Sequence, residues 1–187
     1  MKRYDEAIAI LKKAGELDPL SVPIITDMGF SFYYGGNYDE AIKKLKLSLE
    51  IYPGFGPAHL WLGRTYQQKK MFDSAIAEYK NALRAIPDWT IALAAIGNVY
   101  GVSGNKLEAH KTLDTLSSLS SKKFVTSYGV AILYAGMDEK EKAFDWFNNA
   151  FEERSNWLVW LKSDPRLDRL RSDKRFIELV NKVGLPE

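Results

Sequence analysis

The stretch Gly29-Phe30-Ser31-Phe32-Tyr33-Tyr34-Gly35-Gly36-Asn37-Tyr38-Asp39-Glu40-Ala41-Ile42 holds the end of one helix, a turn and the start of the next. Upstream, Ile24, Ile25 and Met28 join Phe32 at spacings of three or four, as one apolar helix face requires. Gly35-Gly36-Asn37 breaks that helix, and Asn37 is placed to cap the following one, with Glu40 three residues on completing a capping box. Downstream, Ala41, Ile42, Leu45 and Leu49 form a second apolar face. Tyr52-Pro53-Gly54 then ends it, because proline lacks the donor that a continuing helix needs.

The same arrangement recurs along the chain. Ala7, Ala41, Ala75, Ala109 and Ala143 stand 34 residues apart, and the series Gly29, Gly63, Gly97, Ala131 and Phe32, Tyr66, Tyr100, Tyr134 keep the same phase, as do Pro19, Pro53 and Pro87. Asn105 with Glu108 repeats the capping pair. A fixed period of this length marks a stacked array of small, similar units. Two antiparallel helices need small residues where their backbones come closest, which accounts for the glycine in the first helix and the alanine in the second.

The spacing of glycine, aromatic residue, alanine and proline resembles the tetratricopeptide repeat, over roughly residues 4–155. The resemblance implies an all-α, right-handed superhelical solenoid of antiparallel helix pairs with a C-terminal helical cap. We expect a single domain over 1–187, with a half repeat at 1–21, repeats at 22–55, 56–89, 90–123 and 124–157, a cap at 158–187, and about eleven helices in all. The usual bulky residue early in each first helix is Ile25, His59, Leu93 and Ser127 in turn, so packing there is uneven. The closing proline becomes Ser121 and Ser155, which makes residues 117–123 a point of expected flexibility.

Residues 153–186, which open with Glu153-Arg154-Ser155-Asn156-Trp157-Leu158-Val159-Trp160 and run through Asp164-Pro165-Arg166-Leu167 to Val183-Gly184-Leu185-Pro186, resemble the end of repeat regions in bacterial signalling proteins that carry winged-helix, Ser/Thr kinase or nucleotide cyclase domains. Asp164-Pro165 and Ser172-Asp173 read as helix starts and Gly184 as a stop. Arg166, Arg169, Lys174 and Arg175 would give the cap a polar outer face that closes the apolar end of the array.

Composition narrows the function. The 187 residues are 46% hydrophobic, enough for a core, and 26 basic against 24 acidic residues leave a net charge of +2, no field for nucleic acid or an anionic membrane. No apolar run reaches about eighteen residues and no apolar leader is present, so a cytoplasmic setting is expected. With no cysteine, disulfide and thiolate chemistry are excluded. No phosphate-binding loop, zinc-helix motif or nucleophile elbow occurs, so neither an enzyme, a cofactor nor a metal site is expected. His59 and His110 read as a partly buried packing residue and an exposed one. Asp138, Glu139 and Glu141 read as charge favoured at a helix start, and the serines at 117–121 as a polar turn. The basic cluster Arg166–Arg175 is interleaved with Asp164, Asp168 and Asp173 and reads as ion-paired.

In the family resembled, first helices line a concave groove. Carried onto this chain, the inward positions are Pro23, Thr26, Phe30 and Tyr33, then Pro57, Leu60, Arg64 and Gln67, then Ile91, Ala94, Asn98 and Gly101, then Val125, Tyr128, Ile132 and Ala135; the groove residues expected to meet a partner are Thr26, Phe30, Tyr33, Leu60, Arg64, Gln67, Asn98 and Tyr128. The expected function is a scaffold that holds a peptide or protein segment by apolar anchors, with Asn98 and Gln67 bonding its backbone. A ligand-sensing domain that regulates an attached kinase, cyclase or DNA-binding domain is the second reading. The groove offers only Arg64 and Asn98 for a carboxylate clamp, which argues against chaperone docking. The chain enters the pattern at Tyr4, in a second helix, so Ile8, Leu11 and Leu17 lack an intra-unit partner. Truncation from a longer protein or a homodimer through this helix is the corresponding expectation.

Overall fold

The structure, a computed structural model, describes residues 4–185. The described residues form ten α-helices and two 3-10 helices and contain no strand: α1 (Tyr4–Leu17), α2 (Val22–Tyr34), α3 (Tyr38–Ile51), α4 (Gly56–Gln68), α5 (Phe72–Ala85), α6 (Thr90–Val102), α7 (Lys106–Ser120), α8 (Ser127–Gly136), α9 (Lys140–Glu152), η1 (Asn156–Trp160), η2 (Pro165–Leu170) and α10 (Lys174–Val183). The all-α fold class read from the period is therefore the one observed. The chain divides into two compact units at Trp89 and Thr90, a boundary between repeats.

In the first unit α2 packs on α1 and α3, and α4 on α3 and α5. The glycine series explains how closely. A Cβ on Gly63 would lie 2.6 Å from a ring carbon of Tyr79 and 3.1 Å from the Ala75 carbonyl, so only glycine lets α4 approach α5 this far. Ala41, Ala75, Leu45 and Tyr79 are completely buried at these contacts.

The turn inside each helix pair repeats in backbone as well as in sequence. Gly36, Lys70, Gly104 and Asp138, one period apart, all adopt left-handed φ of 79°, 59°, 88° and 61°. Asn105 accepts a hydrogen bond from the Glu108 amide at 3.4 Å, as its capping pattern requires. Asn37 makes no such bond, and the capping box expected there does not form at the Asn37 side chain.

In the second unit α6 packs on both α7 and α8, and α8 on α9. A hydrogen bond from Asn98 Nδ2 to the Ile132 carbonyl, 2.6 Å long, joins the two first helices across one full period. Phase alone would start α8 at Phe124. It starts at Ser127, and Phe124 is left 73% exposed.

The C-terminal segment supplies the apolar floor for this unit. Leu158, Leu161, Leu167, Leu170, Phe176 and Leu179 pack under Tyr128, Phe144 and Phe147. Asp164 caps η2 through the Arg166 amide, Asp173 caps α10 through the Arg175 amide, and Gly184 ends α10 in the left-handed region. The expected polar outer face needs one correction. The Arg166 side chain is 4% exposed and is paired with the fully buried Asp164, whose carboxylate also accepts from Tyr128 Oη at 3.0 Å. The carboxylate neutralises the guanidinium inside the cap, so Arg166 holds η2 in place instead of facing solvent.

Candidate functional site

The first helices of the first unit carry a cluster of rings. Phe30 lies edge-on to Trp61, with centroids 4.6 Å apart, and to Tyr34 at 5.0 Å; Tyr33 and Tyr34 also lean on Trp61 at 5.6 and 5.7 Å. Both edge-on pairs have the geometry that aromatic quadrupoles favour. The Arg64 guanidinium sits over the Trp61 ring, 4.3 Å from its centroid. These side chains meet because positions nine and thirteen of one first helix face the next first helix one repeat later.

Of the eight groove residues expected to meet a partner, Phe30 is half-buried, and Thr26, Tyr33, Leu60, Arg64, Gln67, Asn98 and Tyr128 are buried. That corrects the expectation of open side chains at these seven positions. Thr26 Oγ1 is 2.8 Å from Ser48 Oγ in α3, and Gln67 accepts from Tyr79 Oη at 3.1 Å. Asn98 is bonded to the Ile132 carbonyl and Tyr128 to Asp164. The polar groups that were to bond a partner's backbone serve the fold's own helices. On one face of α2, spaced four and three apart, stand the exposed Pro23 and Asp27 and the half-buried Phe30. Burial raises the Asp27 carboxyl above the ordinary aspartate range.

One polar constellation escaped sequence reasoning. His59 Nδ1 lies 2.6 Å from Glu78 Oε2 and Nε2 lies 2.8 Å from the Pro53 carbonyl oxygen. Burial works against charge on this imidazole, but the bonds to Glu78 and Pro53 outweigh it, and the net shift is upward. Nineteen residues separate the pair, a distance that no repeat phase announces. His110 is exposed, 3.4 Å from Glu139.

In the basic segment of the cap, Arg166, Arg171 and Arg175 are ion-paired. Arg175 bonds Asp173 and Glu141 and covers the Phe144 ring, and its guanidinium holds the Asp173 carboxyl down at about 2. Arg171 bonds Asp168 and the Lys162 and Asp164 carbonyls. Among the described residues no group of three or more His, Cys, Asp or Glu is placed to hold a metal, and no helix is long and apolar enough to cross a membrane.

Residues 34–99 match the family model described as tetratricopeptide repeat. No curated protein matches the sequence. Among solved structures, a thermophilic tetratricopeptide protein of Thermus thermophilus is similar over 98% of this chain and 92% of its own, with 18% identity and a TM-score of 0.67. MamA aligns over 81% of this chain and 88% of its own at 23% identity, with a TM-score of 0.55. YrrB, described as a tetratricopeptide protein with an unusual peptide-binding site, aligns over 92% and 90% at 17% identity, with a TM-score of 0.52. At these identities the likeness is one of fold, that of a tetratricopeptide array.

Proposed function

We propose that this tetratricopeptide array is a non-catalytic scaffold that holds a peptide or protein segment against the first-helix face of its first unit. The observation that carries the reading is Phe30. It is a half-buried ring backed by Trp61 and Tyr34, with the accessible Pro23 and Asp27 on the same helix face. A rigid aromatic anchor that is already ordered by its neighbours loses little side-chain freedom on binding, which is why such rings dominate interface energies. The Asp27 carboxylate favours a partner that brings an N–H donor or a positive charge beside its apolar anchor. The buried Thr26, Tyr33, Leu60, Arg64 and Gln67 then act as the wall behind the anchor. Arg64 and Asn98, both buried, are poorly placed for a carboxylate clamp, in keeping with a partner bound by apolar groups.

A cytoplasmic setting and attachment to a signalling protein are part of the same proposal. So is self-association through α1: Ile8 is covered by the fold, but Ile10 and Leu17 are 67% and 90% exposed. Light scattering over a hundredfold dilution, on the parent and on Ile10→Glu with Leu17→Glu, tests that part. A dimer lost in the variant supports it, and a monomer at every concentration removes it. The binding reading itself is tested by panning a displayed random-peptide library on the immobilised protein. Selected peptides should share an aromatic or aliphatic anchor and fail to bind Phe30→Glu; peptides that bind the variant equally well would refute the site.

A further inference from the structure

The second unit contains a cavity of about 460 Å³ between α7, α8 and α9. Its origin is legible in the period. At the positions where earlier repeats have Leu49 and Leu83 the third has Ser117, and where they have Tyr52 and Ile86 it has Ser120. Where the first three repeats place Ile25, His59 and Leu93, the fourth has Ser127. In the first unit α3 packs directly on α4, whereas α8 packs on α6 and α9; the half-buried Leu49 and Leu83 of earlier repeats have a serine as their counterpart, and a space stays open beside α7. Close packing is the rule in protein interiors, and a gap this size is within the range of small-molecule sites.

The lining has a definite chemistry. Leu113, Leu116, Val130, Tyr134 and Trp146 give an apolar and aromatic wall, and Trp146 stands where earlier repeats have Glu78 and Thr112. Asp114 lies on the rim at a position that is Lys46 and Lys80 in earlier repeats, which reverses the local charge. Glu153 lines the cavity and accepts a hydrogen bond from Ser127 Oγ at 2.5 Å, which orients the carboxylate. Among the described residues no lysine, arginine or histidine lines it. Lys142 Nζ, 5.4 Å from the centroid of the Tyr134 ring, is engaged with Glu139.

We propose that this cavity binds a small aromatic amine, its ring against Trp146 and the leucines and its ammonium beside Asp114 and Glu153. The site lies wholly within the second unit and does not rest on the reading of the α2 face. Two acidic groups and no base favour a cation over an anion of equal shape, and the aromatic wall favours a flat body over a bare alkyl chain.

Calorimetric titration with tryptamine, and with indole-3-acetate as the same ring carrying the opposite charge, tests this on the full chain. Tryptamine should bind saturably, and indole-3-acetate about tenfold more weakly, the ratio expected for partly screened charges. Asp114→Asn should shrink that preference. Ser117→Leu, which restores the residue of earlier repeats, should abolish binding of both with the thermal transition held or raised; Ser120→Leu serves if Ser117→Leu lowers it. No saturable tryptamine binding, equal binding of the two ligands, or full binding by a well-folded Ser117→Leu variant would each overturn the proposal.

Discussion

His59 presents both ring nitrogens to acceptors, Nδ1 to Glu78 Oε2 at 2.6 Å and Nε2 to the Pro53 carbonyl at 2.8 Å, and only the imidazolium can donate to both. The folded state therefore raises the affinity of this ring for a proton. A raised folded-state value contributes stability that is fully present below the ordinary histidine range and is lost as pH rises through the folded value. Urea unfolding from about pH 5.5 to about pH 8.5 should show the parent losing of order 1 kcal/mol relative to His59→Gln. Parallel profiles for the two proteins would contradict the assignment.

The contact between Gly63 and Tyr79 sets the spacing of α4 and α5. Gly63→Leu would drive a side chain into a ring that is completely buried, with the Ala75 carbonyl behind it. A loss of about 1–3 kcal/mol in denaturant unfolding is expected, the usual range for overfilling a packed contact. An unchanged midpoint would show that the helices can separate freely.

Lys70 holds a φ of 59° at a turn position that is glycine in two other repeats. Lys70→Gly should raise stability by roughly 0.5–1 kcal/mol, since relief of left-handed strain exceeds the added freedom of the unfolded chain. Thermal unfolding monitored by circular dichroism decides it, and a lower transition temperature would mean that the lysine side chain matters more than its backbone.

Asp164 is completely buried and receives bonds from Tyr128 Oη and from Arg166 Nε and its amide. Asp164→Ala leaves the Arg166 charge buried without its carboxylate, for an expected loss of about 3–5 kcal/mol. Asp168→Ala, an exposed pair with Arg171, should lose no more than about 1 kcal/mol. Similar losses for the two would argue that the cap is not anchored at Asp164.

Ala41, Gly63 and Ala75 could be placed from sequence because each helix pair repeats one packing geometry, and a repeated geometry imprints a repeated residue. The late start of α8 was not legible. Phe124 keeps the phase of a helix start, but the proline that closes earlier repeats at Pro53 and Pro87 is Ser121 here, α7 runs on to Ser120, and the chain then reaches Ser127 without helix. The candidate groove was legible only as a helix face. Phase put Tyr33, Gln67 and Asn98 on that face, but the distance to the neighbouring helix depends on side chains such as Trp61, which arrive from the next repeat and bury it. The His59–Glu78 pair follows no period at all, and a single sequence gives no sign of it.

Phe30 is the anchor of the proposed partner-binding face. Isothermal titration of one library-selected peptide into the parent, Phe30→Ala, and a control with Lys43→Ala and Lys46→Ala on the second helix measures it directly. The expected result is a loss of at least about tenfold in affinity for Phe30→Ala, with the control unchanged and the thermal transition of both variants close to that of the parent. Equal affinity in the parent and Phe30→Ala, or a loss confined to the lysine control, would contradict the account.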